Sequence, residues 1–243
     1  MKFKRKLILV VLILFSIVTI TFTDKAMAEE GLSTSFSLDA YSNYVWRGRN
    51  LSKGFVFQPA VDIIDGQYGF NAMANFDIYT SEFNEFLFTL NYMYRADDAY
   101  FDLGLIYYYF PAKNHKDTIE GYATTKVKVM IDVMLTLYYD FDEGAGAFLV
   151  SEFSYSIPIG KMANLKLASE INTNMSNEIM GKGTNKQYFF NFYNCELRAS
   201  FIIKASDNLI IEPIVAYSFP ITKDAELNIK EEFYFGVSAK MKI

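Results

Sequence analysis

The sequence is poor in the side chains that most often carry catalysis or bind transition metals. Its 243 residues include one histidine, His115, and one cysteine, Cys195. Histidine-cluster and Cys-x-x-Cys metal sites are therefore excluded, as is an internal disulfide. Neither a Ser-x-x-Lys nor a Gly-x-Ser-x-Gly nucleophile motif occurs. We therefore predict no cofactor, no catalytic residue and a solvated loop position for His115.

Carboxylates are the remaining groups that could do chemistry. Asp140, Asp142 and Glu143 stand together beside a Gly144–Gly146 turn, and carboxylate oxygens are the ligands that Ca²⁺ prefers. The alternative for this group is an acidic hairpin solvated by water. Carboxylates elsewhere in the chain could form a pair for general acid–base catalysis, but the sequence singles out no such pair.

The elements that must position these side chains show a period of two. In residues 35–40, for example, Phe36, Leu38 and Ala40 alternate with two serines and Asp39. Such alternation is typical of β-strands with one apolar and one polar face. It recurs about twelve times, in segments near the 9 to 11 residues that a tilted strand needs to cross a bilayer. Strands of a soluble β-sandwich, the alternative fold, average about 5 to 6 residues.

The connections between these segments alternate in length. Tight turns such as Asp65-Gly66 and Ser206-Asp207-Asn208 alternate with longer links. The longer links are predicted at Gly48–Gly54, Pro111–Thr125, Asn174–Gln187 and Pro220–Glu231. The strand count is even only if a turn falls near Asp132, and we expect β-bulges at Pro59 and Pro213 because proline cannot donate to a ladder.

The first 28 residues have the features of a cleaved signal peptide. A basic start is followed by an apolar run, Leu7–Phe22, and by Ala26-Met27-Ala28, a small-x-small cleavage site. The apolar run is shorter than the roughly 20 residues of a spanning helix. The formal net charge of −5 argues against nucleic acid as a partner, since phosphate binding needs a basic face.

Together these patterns predict an all-β protein that is exported and spans a membrane. We expect residues 29–243 to form a single domain, a transmembrane antiparallel β-barrel of about 12 strands in the outer membrane of a Gram-negative bacterium. Short turns would be periplasmic and longer loops extracellular. The expected partners are outer-membrane lipid, the barrel-assembly machinery during biogenesis, and small solutes, whereas the oligomeric state stays open.

The alternation assigns polar side chains to the lumen and apolar ones, Cys195 among them, to lipid. The predicted pore-lining residues are Asp39, Asn43, Arg47, Asp62, Asn75, Asp77, Glu85, Arg95, Asp102, Lys128, Glu152, Glu170, Glu196, Arg198, Glu212 and Lys240. Aromatic residues crowd the strand ends, where an aromatic girdle would meet the headgroups. The predicted girdle residues are Tyr44, Trp46, Tyr92, Tyr94, Tyr107 and Tyr109.

A family resemblance is carried by two short motifs. Residues 44–48 (YVWRG), followed by Ser52-Lys53-Gly54 and Gln58-Pro59-Ala60, resemble the opening hairpin of the TorF family of outer-membrane porins. Residues 137–142 (LYYDFD) also recur in relatives. The resemblance implies an outer-membrane β-barrel that acts as a channel, and it implies no catalytic residues.

The function predicted from these observations is passive diffusion of small hydrophilic solutes through a porin. Acidic residues slightly outnumber basic ones on the predicted inner faces, which predicts at most a mild preference for cations. The first alternative is a non-conducting structural or partner-binding barrel, because twelve strands lie between filled and open barrels. An outer-membrane hydrolase is the least favoured function.

Overall fold

The computed structural model describes residues 31–96, 99–111 and 115–243, so the predicted signal peptide lies outside the described residues. Fourteen strands form within these ranges. They are β1 (Ser33–Tyr41), β2 (Val45–Trp46), β3 (Arg49–Asn50), β4 (Val56–Asp65), β5 (Tyr68–Asp77), β6 (Glu82–Arg95), β7 (Ala99–Tyr109), β8 (Thr118–Lys128), β9 (Asp132–Asp140), β10 (Ala147–Ile159), β11 (Ala163–Met175), β12 (Phe190–Lys204), β13 (Leu209–Pro220) and β14 (Glu232–Lys242).

Twelve of these strands close into one antiparallel barrel, while β2 and β3 form a separate hairpin. Sequential strands pair side by side, and β1 closes the ring by pairing with β4 on one edge and with β14 on the other. Val129–Ile131 form the turn between β8 and β9. The predicted barrel of about 12 antiparallel strands is confirmed, including the turn near Asp132 that the even count requires.

The connections divide the barrel into two ends. At the end where β1 begins and β14 ends, which we call the turn end, short connections join the strands at residues 66–67, 129–131, 160–162 and 205–208, and β6 is followed there by β7. At the opposite end, which we call the loop end, the three longest connections are residues 42–55, 176–189 and 221–231. These three loops contain the β2–β3 hairpin, a short 3-10 helix (Glu178–Met180) and a short α-helix (Lys223–Glu226).

The two faces of the barrel wall differ as the alternation predicts. Leu90 and Leu105 stand opposite each other in the β6–β7 ladder and are 64% and 54% exposed on the outer face. Glu152 and Ser154, on the inner face of β10, are buried. An apolar outer face and a polar inner face are the arrangement of barrels that cross a lipid bilayer. Among the described residues, no helix is long and apolar enough to cross a membrane.

Two sequence-predicted boundaries need correction. The strand containing Phe36 ends at Tyr41 instead of continuing through Trp46, because the chain turns inward there. The predicted loop Pro111–Thr125 is too long, since β8 already begins at Thr118. The polar residues that begin β8 face the lumen, so they resemble a loop in composition although they pair as a strand.

The irregularities of the ladders also differ from those expected. At Pro59 and Pro213 pairing with one neighbour is interrupted but the register does not shift, so the predicted bulges are absent. Register shifts occur instead between β5 and β6, at Asn75 and Phe76, and between β11 and β12, at Ile171 and Thr173. The extra residue in β12 turns the side chain of Tyr193, expected on the lipid face, into the interior, where it is fully buried.

Candidate functional site: the barrel lumen

The middle of the lumen carries a group of three carboxylates, which we call the carboxylate belt: Glu152, Glu170 and Glu196. Glu170 stands directly opposite each of the other two in the β10–β11 and β11–β12 ladders. Arg198 lies among them: it hydrogen-bonds Glu170, and its Nη2 and Nε atoms lie 3.7 Å and 3.4 Å from Glu152 and Glu196. Lys166 Nζ lies 3.0 Å from Glu152 Oε1. Three carboxylates thus share two bases, and the belt keeps a net negative charge.

Other predicted pore-lining residues form smaller hydrogen-bonded groups on the same inner face. Asp62 accepts from Lys240 Nζ at 2.9 Å and from Asn71 Nδ2 at 2.7 Å. Glu212 accepts from the Ser200 hydroxyl at 2.6 Å. The remaining contacts join Asp102 to Asn91 and Tyr122, Asn75 to Gln58 and Asn84, and Asp39 to Tyr41. These bonds satisfy polar groups that the lumen removes from bulk water.

The lumenal charges are distributed unevenly along the barrel axis. The bases of the inner face gather toward the turn end: Arg95, Lys126, Lys128, Lys166, Lys240 and Lys242. The acids from the belt to the loop end are Asp39, Asp77, Glu85, Glu120, Asp140, Glu152, Glu170 and Glu196. Since only Arg47, Arg49 and Arg198 oppose these eight acids within the loop half of the lumen among the described residues, that half is negative. The turn end also holds Asp62, Asp102 and Glu212, but the bases outnumber these acids.

A hairpin of the first loop, residues 42–55, crosses the lumen near the loop end. Trp46 pairs with Arg49, so Arg47 and Gly48 are the two turn residues, with φ of +50° and +77°. Positive φ at both positions is the geometry of a type I′ hairpin turn, and glycine favours it. We call residues 42–55 the first-loop hairpin.

The tip of this hairpin is fixed on the far wall by Arg47. Its Nη1 and Nη2 atoms donate to Oε1 and Oε2 of Glu120 at 2.8 Å and 2.9 Å. The side chains of Arg47 and Glu120 are 6% and 1% exposed. The Tyr108 hydroxyl donates to Glu120 Oε2 at 2.8 Å. A buried bidentate pair of this kind fixes both position and orientation.

Aromatic rings enclose the Arg47 guanidinium. Its Cζ atom lies 4.4 Å from the ring centroid of Trp46, 4.3 Å from that of Tyr138 and 4.9 Å from that of Phe148. Each such cation–π contact stabilises a desolvated guanidinium by about 0.5 to 2 kcal/mol. Tyr138 belongs to β9, which is six strands from β1 in the closed ring of twelve. The hairpin therefore reaches from its root at β1 to the wall directly across the barrel.

The rest of the loop end is filled by an interior apolar cluster. Its buried members are Phe148, Met180, Phe189, Tyr193, Ala225 and Ile229, and Trp46, Tyr138, Val150 and Ile179 pack against them. Met180 and Ile229 come from the two other long loops, and Arg49 of the hairpin donates to the Ile179 carbonyl at 2.9 Å. All three long loops are thus packed together inside the loop end.

Buried amides surround this cluster. Asn172 Nδ2 donates to Asn194 Oδ1 at 3.2 Å, and Asn194 Nδ2 donates to Ser218 Oγ at 3.0 Å. Asn174 Oδ1 accepts from the backbone N–H of Asn177 at 2.9 Å, which holds the start of the 176–189 loop. A hydrogen-bonded polar network of this kind gives the interior packing a defined geometry.

Two predicted girdle residues are not on the outer face. Trp46 packs inside the barrel edge-to-face with Tyr108, with ring centroids 6.3 Å apart, and Tyr44 reaches the lumenal Glu85. Both were placed outside because they continue the alternation of β1, but the chain leaves the wall after Tyr41. Tyr92 and Tyr94 lie on the outer-facing side of β6 near the turn end, and Tyr107 and Tyr109 lie on that of β7 near the loop end.

The remaining predicted pore-lining residues lie near the two rims. Asn43 is in the first-loop hairpin, and Asp77 accepts from the backbone N–H of Tyr79 at 2.8 Å in the next connection. Arg95 and Lys128 are the last residues of β6 and β8 at the turn end.

Four residues around Arg47 are absent from the predicted pore lining: Glu120, Tyr138 and Phe148, which contact Arg47, and Tyr108, which bonds Glu120. Glu120 was hidden by the overlong loop prediction. The alternation of Ile119, Ala123 and Val127 with polar residues in β8 is the signal that could have placed it inside.

Two of the acidic side chains considered for Ca²⁺, Asp140 and Glu143, bind other groups of the protein. Asp140 Oδ1 accepts from the Thr118 hydroxyl at 2.8 Å and from the backbone N–H of Asp142 at 2.9 Å, and Glu143 pairs with Lys116. Across residues 31–96, 99–111 and 115–243, no group of three or more His, Cys, Asp or Glu side chains is arranged to hold a metal ion.

Comparison with known proteins identifies the architecture. No protein-family model matches the sequence, and no curated protein matches it. Among solved structures, the KdgM porin matches 86% of this chain over 99% of its own length, with a TM-score of 0.58 and 10% identity. The chain has the fold of an outer-membrane porin.

Two further outer-membrane protein structures agree with this fold. The NanC porin matches 86% of this chain over 100% of its own, with a TM-score of 0.54 and 9% identity. An outer membrane channel from Pseudomonas putida F1 matches 91% of this chain over 100% of its own, with a TM-score of 0.52 and 7% identity. At such identities the likeness establishes the fold, and the resemblance to the TorF family rests on the sequence motifs alone.

Proposed function

We propose that this protein is an outer-membrane porin that lets small hydrophilic solutes diffuse passively across the membrane. The observation that carries the proposal is the closed barrel of twelve strands, apolar outside and polar inside. The fold shared with the KdgM and NanC porins supports it. The mature protein would be residues 29–243, and its loop end would face the outside of the cell.

The lumen favours cations over anions in this proposal. Glu152, Glu170 and Glu196 share two bases, and Glu120 adds an acidic residue that the sequence analysis had not assigned to the lumen. The basic residues at the turn end offset part of this charge, so the preference is mild. Selectivity of this kind follows from rings of charged side chains around a pore.

The proposal is tested by the conductance of refolded residues 29–243 in planar bilayers. Circular dichroism and heat-modifiable gel migration first show that the barrel is folded. Stepwise, ohmic openings with a reversal potential that favours cations are the expected result. The porin proposal is contradicted if folded wild-type protein is silent and a folded variant with residues 43–52 replaced by a short glycine linker is silent as well.

A second candidate function is favoured by the first-loop hairpin, because it spans the bore from β1 to β9. In that case the barrel does not conduct and the three long loops bind an extracellular or envelope partner. Shortening residues 221–231, which lie outside the hairpin, would then abolish binding while the barrel stays folded. The two functions are separated by conductance, which only the porin shows.

A further inference from the structure

We propose that the first-loop hairpin is the gate of this pore, and that the Arg47–Glu120 ion pair is the latch that holds the gate closed. This inference rests on the proposed function, since a gate needs a conducting pore. It goes further in naming the moving segment, the contact that breaks and the wall from which the segment departs.

The first-loop hairpin contacts three neighbouring strands of the lumen wall. Tyr44 reaches Glu85 on β6, Trp46 packs on Tyr108 of β7, and Arg47 binds Glu120 on β8. The hairpin therefore touches several adjacent strands on the wall opposite the other two long loops. The interior apolar cluster of the other two loops is built on β10 and β12, so moving the hairpin away would clear the β6–β8 side of the bore.

The base and the tip of the hairpin are held by different kinds of contact. The base of the hairpin is held by a bond inside the segment, from the backbone N–H of Leu51 to the Tyr44 carbonyl at 2.7 Å. Of its other polar side chains, Tyr44 reaches Glu85 near the base of the hairpin, whereas Arg49 binds the Ile179 carbonyl at 2.9 Å and Asn50 binds Glu232 at 3.0 Å. The bidentate bond to Glu120 is thus the charged attachment of the tip to the far wall.

The latch is an ion pair that is buried away from water. Arg47 and Glu120 are both buried, so removing either side chain would leave the other as an unpaired buried charge. An intact pair holds the hairpin firmly, whereas a broken pair drives it toward water because a charge is costly in a poorly hydrated site. The pair is therefore the contact that must break before the hairpin can leave the lumen.

The hairpin can be locked by an engineered disulfide. A Cβ atom built on Gly48 would lie 3.2 Å from the Cβ of Asn194 on β12, close to the 3.5 to 4.5 Å spacing of disulfides. The lock is Gly48→Cys with Asn194→Cys, made in a Cys195→Ala background so that one disulfide can form. Asn194→Cys removes the Asn194 Cγ atom that would lie 3.0 Å from the added Cβ, and the reduced form of the same variant controls for the strain that remains at Gly48. Arg47 and Glu120 stay unchanged in this variant.

A fluorescence signal reports the hairpin independently of conductance. Trp46 is the single tryptophan of the chain and packs against the interior apolar cluster. Its emission would shift to longer wavelength, and acrylamide would quench it more, when the hairpin leaves the lumen.

The experiment compares wild type, Arg47→Ala, a variant with residues 43–52 replaced by a short glycine linker, and the disulfide lock, all in planar bilayers. Lys116→Ala is the matched control, because it breaks an exposed ion pair with Glu143 on the same end of the barrel but outside the bore. We expect the open fraction to rise at least about tenfold in Arg47→Ala and in the hairpin deletion. The oxidised lock should stay closed and reopen on reduction, while Lys116→Ala should match wild type.

The outcomes separate the gate from the pore. Suppose that wild type conducts and that its conductance equals that of Arg47→Ala and of the hairpin deletion. If the Trp46 emission of Arg47→Ala is also unchanged, the gate is wrong and the porin stands. If oxidation of the lock leaves conductance unchanged, the hairpin does not move during opening and the gate is again wrong. If every variant is folded and silent, the porin and the gate are both overturned.

Discussion

The guanidinium of Arg47 and the carboxylate of Glu120 face each other through two hydrogen bonds of 2.8 Å and 2.9 Å, although 73 residues separate them in the sequence. Arg47 belongs to a loop and Glu120 to the wall of the barrel. Their pairing lets a polar loop segment lie inside the loop end of the lumen without leaving a buried charge unpaired.

The Tyr108 hydroxyl supports this pair, so Tyr108→Phe should destabilise the protein. The change removes a donor 2.8 Å from Glu120 Oε2 in a buried site, and hydrogen bonds to charged groups contribute about 1.5 to 3 kcal/mol. We expect a loss of that size in the free energy of unfolding, measured by urea titration of the refolded barrel.

The neighbouring Tyr107 provides the control for this prediction. Its hydroxyl donates to Asp117 at 2.9 Å on the exposed outer side of the same strand. Tyr107→Phe removes the same atom from the outer face near the loop end, where headgroups and water can replace the lost bond, so its unfolding free energy should stay at the wild-type value. Equal losses of unfolding free energy in the two variants would show that the lumenal hydrogen bond contributes no more to stability than the bond on the outer face.

Gly48→Ala should disturb the first-loop hairpin more than an equivalent change elsewhere. Gly48 has a φ of +77°, and an added Cβ would lie 3.0 Å from Asn194 Cγ and 3.0 Å from Ile229 Cδ1. Gly66, in a turn-end connection, has a φ of +57° and nothing within 4 Å of the same added atom. Both changes strain the backbone by about 1 to 2 kcal/mol, but only the first also displaces neighbours.

Trypsin digestion distinguishes the two glycine variants. Arg49 and Lys53 are cleavage sites within the hairpin, and they become accessible when it is displaced. We expect faster cleavage there in Gly48→Ala and unchanged cleavage in Gly66→Ala. Protection of both sites in Gly48→Ala would mean that the tip accommodates a methyl group without moving.

Arg198→Gln should make a conducting pore more selective for cations. The substitution removes one of the two bases that Glu152, Glu170 and Glu196 share. The reversal potential in a potassium chloride gradient should move toward that of a cation-selective pore. Lys116→Gln removes a charge from an exposed loop and should leave the reversal potential unchanged. An unchanged value in Arg198→Gln would place the conducting path away from the carboxylate belt.

Contact between the two other long loops should depend on acid pH. Asp224 Oδ1 accepts from the backbone N–H of Thr184 at 2.8 Å and from its hydroxyl at 2.9 Å, and the backbone bond, followed by the side-chain bonds, lowers the pKa of Asp224 below its ordinary 3.8. Because the folded-state pKa is lowered, the contribution to stability is complete above the unfolded pKa near 3.9. It is lost as the pH falls through the lower folded value.

Amide hydrogen exchange at Thr184 measures this dependence. Protection should be constant above about pH 5 and should fall below about pH 4, after correction for the intrinsic exchange rate. Asp224→Asn removes the titrating group, so its protection should show no such step. A step of equal size in both proteins would assign the acid effect to another residue.

The barrel was predictable from sequence because every wall strand has two different surroundings. Lipid outside and a polar lumen inside impose a period of two, as the opposed Leu90 and Leu105 and the buried Glu152 illustrate. The alternation therefore indicated the strand count, the closed barrel and the inward position of the carboxylate belt.

The first-loop hairpin was not predictable in the same way. Trp46 and Arg47 continue the alternation of β1, so nothing local reveals that the chain turns inward after Tyr41. What fixes them is Glu120, a contact far away in sequence, and Glu120 was itself assigned to a loop. Tyr193 was misplaced for a related reason, since a single bulge reverses the facing of the residues beyond it.

The lumenal charges are separated along the barrel axis, with Lys126, Lys166 and Lys240 toward one mouth and Asp77, Glu85 and Asp140 toward the other. The electrostatic potential of the bore is therefore asymmetric. Under one polarity of applied voltage, cations enter at the acidic loop end and anions enter at the basic turn end, so salt accumulates inside the bore. The opposite polarity depletes the bore of both. An open channel of this protein would therefore rectify: its current–voltage curve would bend, and the bend would flatten as high salt shortens the Debye length.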